Sequence, residues 1–378
     1  MGMNKMFKKV LAVVVAGAMT MGMAMPTFAT DEGKTTEAWI TKTYNTEVGK
    51  AEKFSFTAEQ VKAGTGIITT DAPVNMPEIS FINTEIGTTS KRGQIKFPTY
   101  TEAGKYEYTV TETQTVDPAV VNGEHEKMIM SGAEYTMDVY VTDGATGTEI
   151  SNIVVNKVKD DAGQLATGKV DISNTDKNGF KFTNTYVQEA GTGIDPTNPD
   201  PTYAKDGSLN VTKAIEANGG TVDTSKMFDF TATFNFPTGT DANTLGGVKD
   251  ADGHTIAINE AGTYTFKLKA NKNMKFTGVP VGTKISVVES ATPNYKGSAE
   301  SVFNGVQQTK VEASKYDEAI TVKNTLGQKQ NKVDVTNTYN YVPTTGIIMN
   351  TLPYVLMIAL CGAALMAFVA FKRRRLQK

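Results

Sequence analysis

Between Trp39 and Tyr339 apolar side chains recur at every second position, in short runs separated by glycine, proline, asparagine and aspartate. Period-two alternation puts one set of side chains on each face of an extended strand, and the intervening residues favour turns. No long segment outside the two ends shows helical periodicity, so the chain reads as all-β. A Gly/Pro-rich stretch from Gly191 through Pro201 divides it into two parts of ordinary domain size. The parts echo one another. Trp39-Ile40-Thr41-Lys42 opens the first and Phe182-Thr183-Asn184-Thr185-Tyr186 closes it; Val211-Thr212-Lys213 and Val335-Thr336-Asn337-Thr338-Tyr339 do the same for the second. Both contain Glu-Ala-Gly-x-Tyr, at Glu102 to Tyr106 and at Glu260 to Tyr264. A duplicated β-sandwich module is the simplest account, with modules at 30–187 and 206–341 and a linker at 188–205.

Alternation also places charge where a core is expected. Leu209, Val211, Lys213 and Ile215 share one strand face, and Val333, Val335, Asn337 and Tyr339 share another. In the first part Ala38, Ile40, Lys42 and Tyr44 do so, as do Phe180, Phe182, Asn184 and Tyr186. Tyr106, Tyr108, Val110 and Glu112 add an acid to a third face, as Ile285, Val287 and Glu289 do later. Each part therefore offers a Lys, a Glu and an Asn, in that order, on apolar faces. Asn324 rivals Asn337, since it shares a face with Ile320 and Val322.

Isolated buried charges are costly and tend to neutralise: burial lowers a lysine pKa and raises a glutamate pKa. A neutral lysine amine is a nucleophile, and a neutral glutamic acid can donate to a carboxamide oxygen and shuttle protons. Attack on the asparagine carbonyl would expel ammonia and leave a Lys–Asn isopeptide bond. The reaction happens once per molecule, so Glu112 and Glu289 would be catalytic only in self-crosslinking, joining Lys42 to Asn184 and Lys213 to Asn337. The bland alternative is a lysine snorkelling at a strand end and an asparagine capping a turn.

The two ends carry export signals. Lys5, Lys8 and Lys9 precede an apolar run from Val10 to Ala24, and Thr27-Phe28-Ala29 offers a small-residue cleavage site, so 1–29 reads as a signal peptide. At the other end Val342-Pro343-Thr344-Thr345-Gly346 is followed by an apolar stretch from Leu352 to Phe371 and by Lys372-Arg373-Arg374-Arg375. A helix over that stretch is long enough to span a bilayer, and the basic tail would stay on the cytoplasmic side. The pentapeptide resembles the L-P-x-T-G signal read by sortases, with Val342 in place of Leu. The resemblance implies thiol attack at Thr345-Gly346 and transfer of the Thr345 carboxyl to an amine, so 342–378 reads as a sorting signal with transient membrane anchoring.

Without its end segments the chain keeps 30 Lys and Arg against 40 Asp and Glu, a net charge near −10 that argues against nucleic acid as a partner. The one cysteine, Cys361, lies in the apolar span, so the exported part has no disulfides, although its compartment would permit them. Two histidines, His125 and His254, are too few for a metal cluster or a His-based triad. No cofactor motif or catalytic constellation of a metabolic enzyme appears. Asp250-Ala251-Asp252-Gly253 begins like a calcium loop but lacks the rest of that pattern and reads as a hairpin turn. Trp39 and the Tyr/Phe alternation read as core.

On these residues the chain resembles the two-domain major pilins of streptococci and their relatives, with Ig-like modules carrying Lys–Asn isopeptide bonds. Thr41-Lys42, Thr212-Lys213, Val110-Thr111-Glu112, Phe182-Thr183-Asn184 and Thr336-Asn337 carry the resemblance, with Gly278-Val279-Pro280-Val281-Gly282-Thr283 leading to Glu289. The Glu-Ala-Gly-x-Tyr echo departs from it: aligned on that echo, Glu112 would face Ala270. The resemblance implies a covalent polymer of identical subunits on the Gram-positive cell wall, with sortase and peptidoglycan as partners and accessory pilins and a host surface as further ones. It prefers Asn337 over Asn324, because Asn337 stands in the last strand. It also implies an acceptor lysine just upstream of Asn184; the matching position is Lys177, with Lys181, Lys157 and Lys159 as competitors. The rival expectation is a monomeric wall-anchored adhesin.

Overall fold

The structure, a computed structural model, describes residues 35–172, 179–340 and 344–375, with side chains described over 354–372 of the last segment. The signal peptide, Lys177, Val342 and Pro343 lie outside the described residues. The chain folds into two compact units. One is built on residues up to Val120 and from Ile129 to Thr185, the other on Val121–Met128 and from Tyr186 onward.

The first unit is a β-sandwich. Its opening strand Trp39–Thr46 lies between Gly87–Gln94 and the closing strand Phe180–Gln188. The other sheet runs in the order Leu165–Val170, Gly147–Lys159, Glu134–Gly144, Gly104–Glu112, Phe56–Gln60. Alternation behaves as expected on Gly104–Glu112, where Tyr106, Tyr108, Val110 and Glu112 are buried while the residues between them are half-buried. Trp39 departs from expectation. It stands on the face opposite Ile40, Lys42 and Tyr44, half-buried, with the Arg92 guanidinium 5.0 Å from its ring centre. It is an amphipathic cover on the outside of the sheet and not part of the core.

The second unit repeats the plan with different strands. One sheet runs Lys272–Phe276, Leu209–Ala217, Lys332–Tyr339, Tyr295–Phe303, Val306–Gln307, with Val311–Glu312 also on Tyr295–Phe303. The other runs Thr263–Leu268, Phe228–Asn235, Lys284–Glu289, Ile320–Thr325. The Gly278–Thr283 run forms the turn into Lys284–Glu289, closed by the Thr283 hydroxyl donating to the Pro280 carbonyl at 2.8 Å. The Glu-Ala-Gly-x-Tyr echo does not mark equivalent strands. Tyr106 lies on an interior strand that also carries Glu112, whereas Tyr264 lies on the edge strand Thr263–Leu268. Asp250 is the hairpin turn expected: its Oδ1 accepts the backbone N–H groups of Asp252 and His254 at 3.0 and 2.9 Å, and Lys249 pairs with Thr255.

The architecture is all-β, two Ig-like sandwiches, followed by a helix at Thr344–Arg375. Within that helix Tyr354–Lys372 has a mean hydropathy of 2.4 and is long enough to cross a membrane.

Candidate functional site

Each sandwich brings its Lys, Glu and Asn together in the same way. The opening and closing strands are neighbours in one sheet, and the acid projects from the facing sheet. In the second unit the neighbours are parallel, with Lys213 opposite Val335 and Ile215 opposite Asn337. That register sets the Lys213 and Asn337 backbones about 8 Å apart on one face, a gap that a lysine stem and an asparagine side chain can bridge. Asn324 is elsewhere. It pairs with Ile285, four residues from the Glu289↔Ile320 pair and so about 13 Å along the strand, and its Oδ1 accepts the Thr325 N–H. Of the two asparagines left open by alternation, only Asn337 meets the acid.

In the first cluster Lys42 Nζ lies 2.5 Å from Glu112 Oε1, and both side chains are fully shielded from solvent. Asn184 Nδ2 donates to the same Oε1 at 3.1 Å. The amine also sits 4.3 Å above the Phe54 ring, an apolar wall with a weakly attractive face. In the second cluster Lys213 Nζ lies 3.2 and 3.3 Å from the two Glu289 oxygens, and Asn337 Nδ2 donates to Oε1 at 2.6 Å. The Phe228 ring lies 4.3 Å from the Lys213 amine.

Burial dominates the protonation chemistry. It pulls Lys42 down to about 8 against the opposing pull of the Glu112 charge, and Lys213 down to about 8 against that of Glu289. The same loss of water raises Glu112 and Glu289, although the lysine and the asparagine amide act on each in the other direction. One proton moved across the Lys–Glu contact converts an ion pair into a neutral amine beside a neutral acid. In both sites one carboxylate oxygen touches the nitrogen that would attack and the nitrogen that would leave, which suits a proton shuttle.

Of the other expected residues, Lys181 is exposed on the closing strand between buried Phe180 and Phe182. Lys159 is paired with Glu134 at 2.7 Å, and Lys157 lies 5.6 Å from the Tyr135 ring centre. Thr344, Thr345 and Gly346 fall at the start of the C-terminal helix.

Sequence reasoning missed a further buried acid with a network of its own. Glu189, in the segment read as linker, is 1 % exposed and lies within the second unit. It accepts from the Tyr203 and Ser208 hydroxyls at 2.6 Å each and from the Gly278 N–H, and pairs with His125 Nδ1 at 2.7 Å. These donors hold its pKa below the ordinary carboxylate value despite burial, and Glu189 in turn raises His125. The missable signal was the isolated His125 itself, whose partner is 64 residues away.

Residues 38–187 match the family described as Spy0128-like isopeptide containing domain. Residues 207–339 match a different family, described only as a domain of unknown function. No curated protein matches the chain. Among solved structures, the major pilin T3.2 of Streptococcus pyogenes is 19% identical, covering 81% of this chain and 99% of its own, at a TM-score of 0.32. Another major pilin of Streptococcus pyogenes is 19% identical over 80% of this chain and 98% of its own, at 0.30. The pilus-presented adhesin Spy0125 (Cpa) is 9% identical over 80% and 99%, at 0.28.

Proposed function

We propose that this chain is the shaft subunit of a covalent, sortase-assembled pilus on a Gram-positive cell wall, each sandwich locked by one Lys–Asn isopeptide bond. The observation that carries the reading is the repetition of a fully buried Lys–Glu–Asn cluster in two sandwiches whose strands otherwise differ. In each, the lysine Nζ attacks the asparagine Cγ. The Nζ–Cγ bond forms, the Cγ–Nδ2 bond breaks, and the glutamate carries the surplus proton from the attacking to the departing nitrogen, which leaves as ammonia. The bond ties the first strand of each module to its last, so a pull on the module's ends runs through covalent links and not through a sheet that can unzip.

The reading extends to assembly through Val342-Pro343-Thr344-Thr345-Gly346 and the apolar helix behind it, a combination that suits sortase transfer of Thr345 to a lysine of the next subunit. Lys177 holds the matching position for that lysine. Identical subunits, sortase and peptidoglycan are the partners, and accessory pilins and a host surface would be met at the fibre.

The intact mass of a Thr30–Tyr341 chain tests the crosslinks. It should be lighter than the sequence by two ammonia molecules, and a mass equal to the sequence would sink the reading. Cell-wall extracts test assembly: a ladder of covalent oligomers is expected, and a single band would make the chain a monomeric wall-anchored adhesin.

A further inference from the structure

The first cluster holds its asparagine from two sides, and the second does not. Asn184 Oδ1 accepts the backbone N–H of Ser131 at 2.8 Å while its Nδ2 donates to Glu112, and the same N–H also reaches the Glu112 carboxylate and opposes the rise of its pKa. A backbone N–H only donates, so this contact dictates which carboxamide atom is oxygen. Ser131 is itself clamped. Its hydroxyl donates to Asp161 Oδ1 at 2.5 Å and accepts the Ala133 N–H at 3.2 Å, and its carbonyl accepts from Gln114 Nε2 at 3.1 Å. Asp161 Oδ1 also accepts the Thr183 N–H at 2.9 Å, which ties the clamp to the residue beside Asn184. In the second cluster the buried Asn337 Oδ1 has no hydrogen-bond donor among the described residues.

Resting on the isopeptide reading, we propose that the Ser131 N–H is the oxyanion donor for the first crosslink and that Asp161, through the Ser131 hydroxyl, is the positioning residue that aims it. When Nζ of Lys42 attacks, Cγ of Asn184 becomes tetrahedral and negative charge develops on Oδ1, where the donor already lies at hydrogen-bonding distance. The charge returns to a carbonyl as the Cγ–Nδ2 bond breaks and Glu112 delivers the proton to the leaving ammonia. A donor fixed in advance in a dry site needs no reorganisation at the moment of reaction, and removing one such donor typically slows a reaction about 10²- to 10³-fold. The clamp accounts for a polar loop residue being 1 % exposed beside a pair that burial already strains.

The test follows both crosslinks in one full-length chain, isolated unfolded from inclusion bodies and diluted from urea into detergent. Quenched samples are mapped by peptide mass, and fluorescence of Trp39, the only tryptophan, reports folding of the first sandwich separately. Ser131→Pro, which lacks the N–H, should slow the Lys42–Asn184 link about 100-fold and leave the Lys213–Asn337 link unchanged. Asp161→Ala keeps the N–H but frees it, and should slow the first link about tenfold, with Asp161→Asn restoring most of the rate because it retains an acceptor oxygen. A first link that forms at the wild-type rate in Asp161→Ala overturns the proposal. So does a slowing in Asp161→Ala that merely matches slower Trp39 folding, whether or not the proline variant folds. If the wild-type chain never forms the first link, the isopeptide reading itself has failed and the proposal falls with it; normal linking with unaltered variants removes the proposal alone.

Discussion

The two buried clusters use the same three side chains on corresponding strands, yet they support the asparagine differently. In the first, a loop between sheets supplies the Ser131 N–H and fixes the amide, while the Lys–Glu contact is tight at 2.5 Å. In the second, Lys213 is shared loosely between both Glu289 oxygens, and among the described residues the Asn337 amide is held at its Nδ2 end only. What stands beside Asn337 is the absence of a side chain: Gly297 pairs with it across the sheet, and a Cβ there would come within 3.1 Å of Oδ1 and 2.9 Å of Ile320 Cγ2. On the proposed crosslinking reading, the trio would supply nucleophile, shuttle and electrophile, while the surrounding backbone would decide how well developing charge is received.

The sharpest way to break this comparison is to remove the shuttles. Glu112→Ala should abolish the first link and Glu289→Ala the second, each returning one ammonia to the intact mass and leaving the other link in place. Loss of both links from either variant would mean that the clusters are not independent. Next, in the wild-type chain the first link should form about 100-fold faster than the second, the worth of one preformed donor. Equal rates in time-resolved peptide maps would erase the distinction between the clusters.

Gly297→Ala should slow only the second link, by roughly tenfold or more, because displacing a reacting group by a fraction of an ångström spoils the line of attack. Both links should show a plateau in rate against pH. The reactive pair holds one proton in total, so the rate falls above about 8, where the lysine would give it up, and falls again below the raised glutamate value, where a second proton binds. A rate that climbs steadily through pH 8 would contradict the shuttle.

The smallest effect concerns Glu189, the buried acid with the opposite fate. Four donors replace its lost water, so it stays charged, whereas burial raises the pKa of Glu112 and Glu289 against fewer compensating partners. The His125 pKa is raised in the folded chain, so its contribution is full below the ordinary value of 6.5 and is lost as pH rises through the folded value. The depressed Glu189 contributes above its ordinary 4.5 and is lost as pH falls through its folded value. His125→Ala should therefore cost about 2 kcal/mol, most clearly between those two pH values, in the melting of the second sandwich. An equal loss at pH 9 would show that the imidazole acts by packing and not by charge.

Strand faces were legible from residue order because the side-chain period of a strand is local. Alternation alone put Lys42, Glu112, Asn184, Lys213 and Glu289 on buried faces, and all are buried. The core reading of Trp39 goes against that pattern, since the residue's odd position in the strand turns the ring outward. Alternation could not choose between Asn324 and Asn337, since both satisfy the local pattern and only the pairing register separates them. Ser131 and Asp161 carried no signal of their own, being a loop backbone N–H and a loop carboxylate, and Glu189 was signalled only by the isolated His125, because its donors lie far along the chain.

Residue order by itself therefore determined the all-β character, the apolar helix after the second sandwich, and the polar trios on core faces, because each follows from periodicity and composition within a few residues. Tertiary structure alone decided which asparagine meets which acid, which buried glutamate is strained and which is satisfied, and where a backbone N–H points. Those outcomes depend on strand register and on loops folding back across more than fifty residues, as Ser131 does to Asn184. Hydrogen bonding and desolvation act through space, and the chain sets that space only once it is folded.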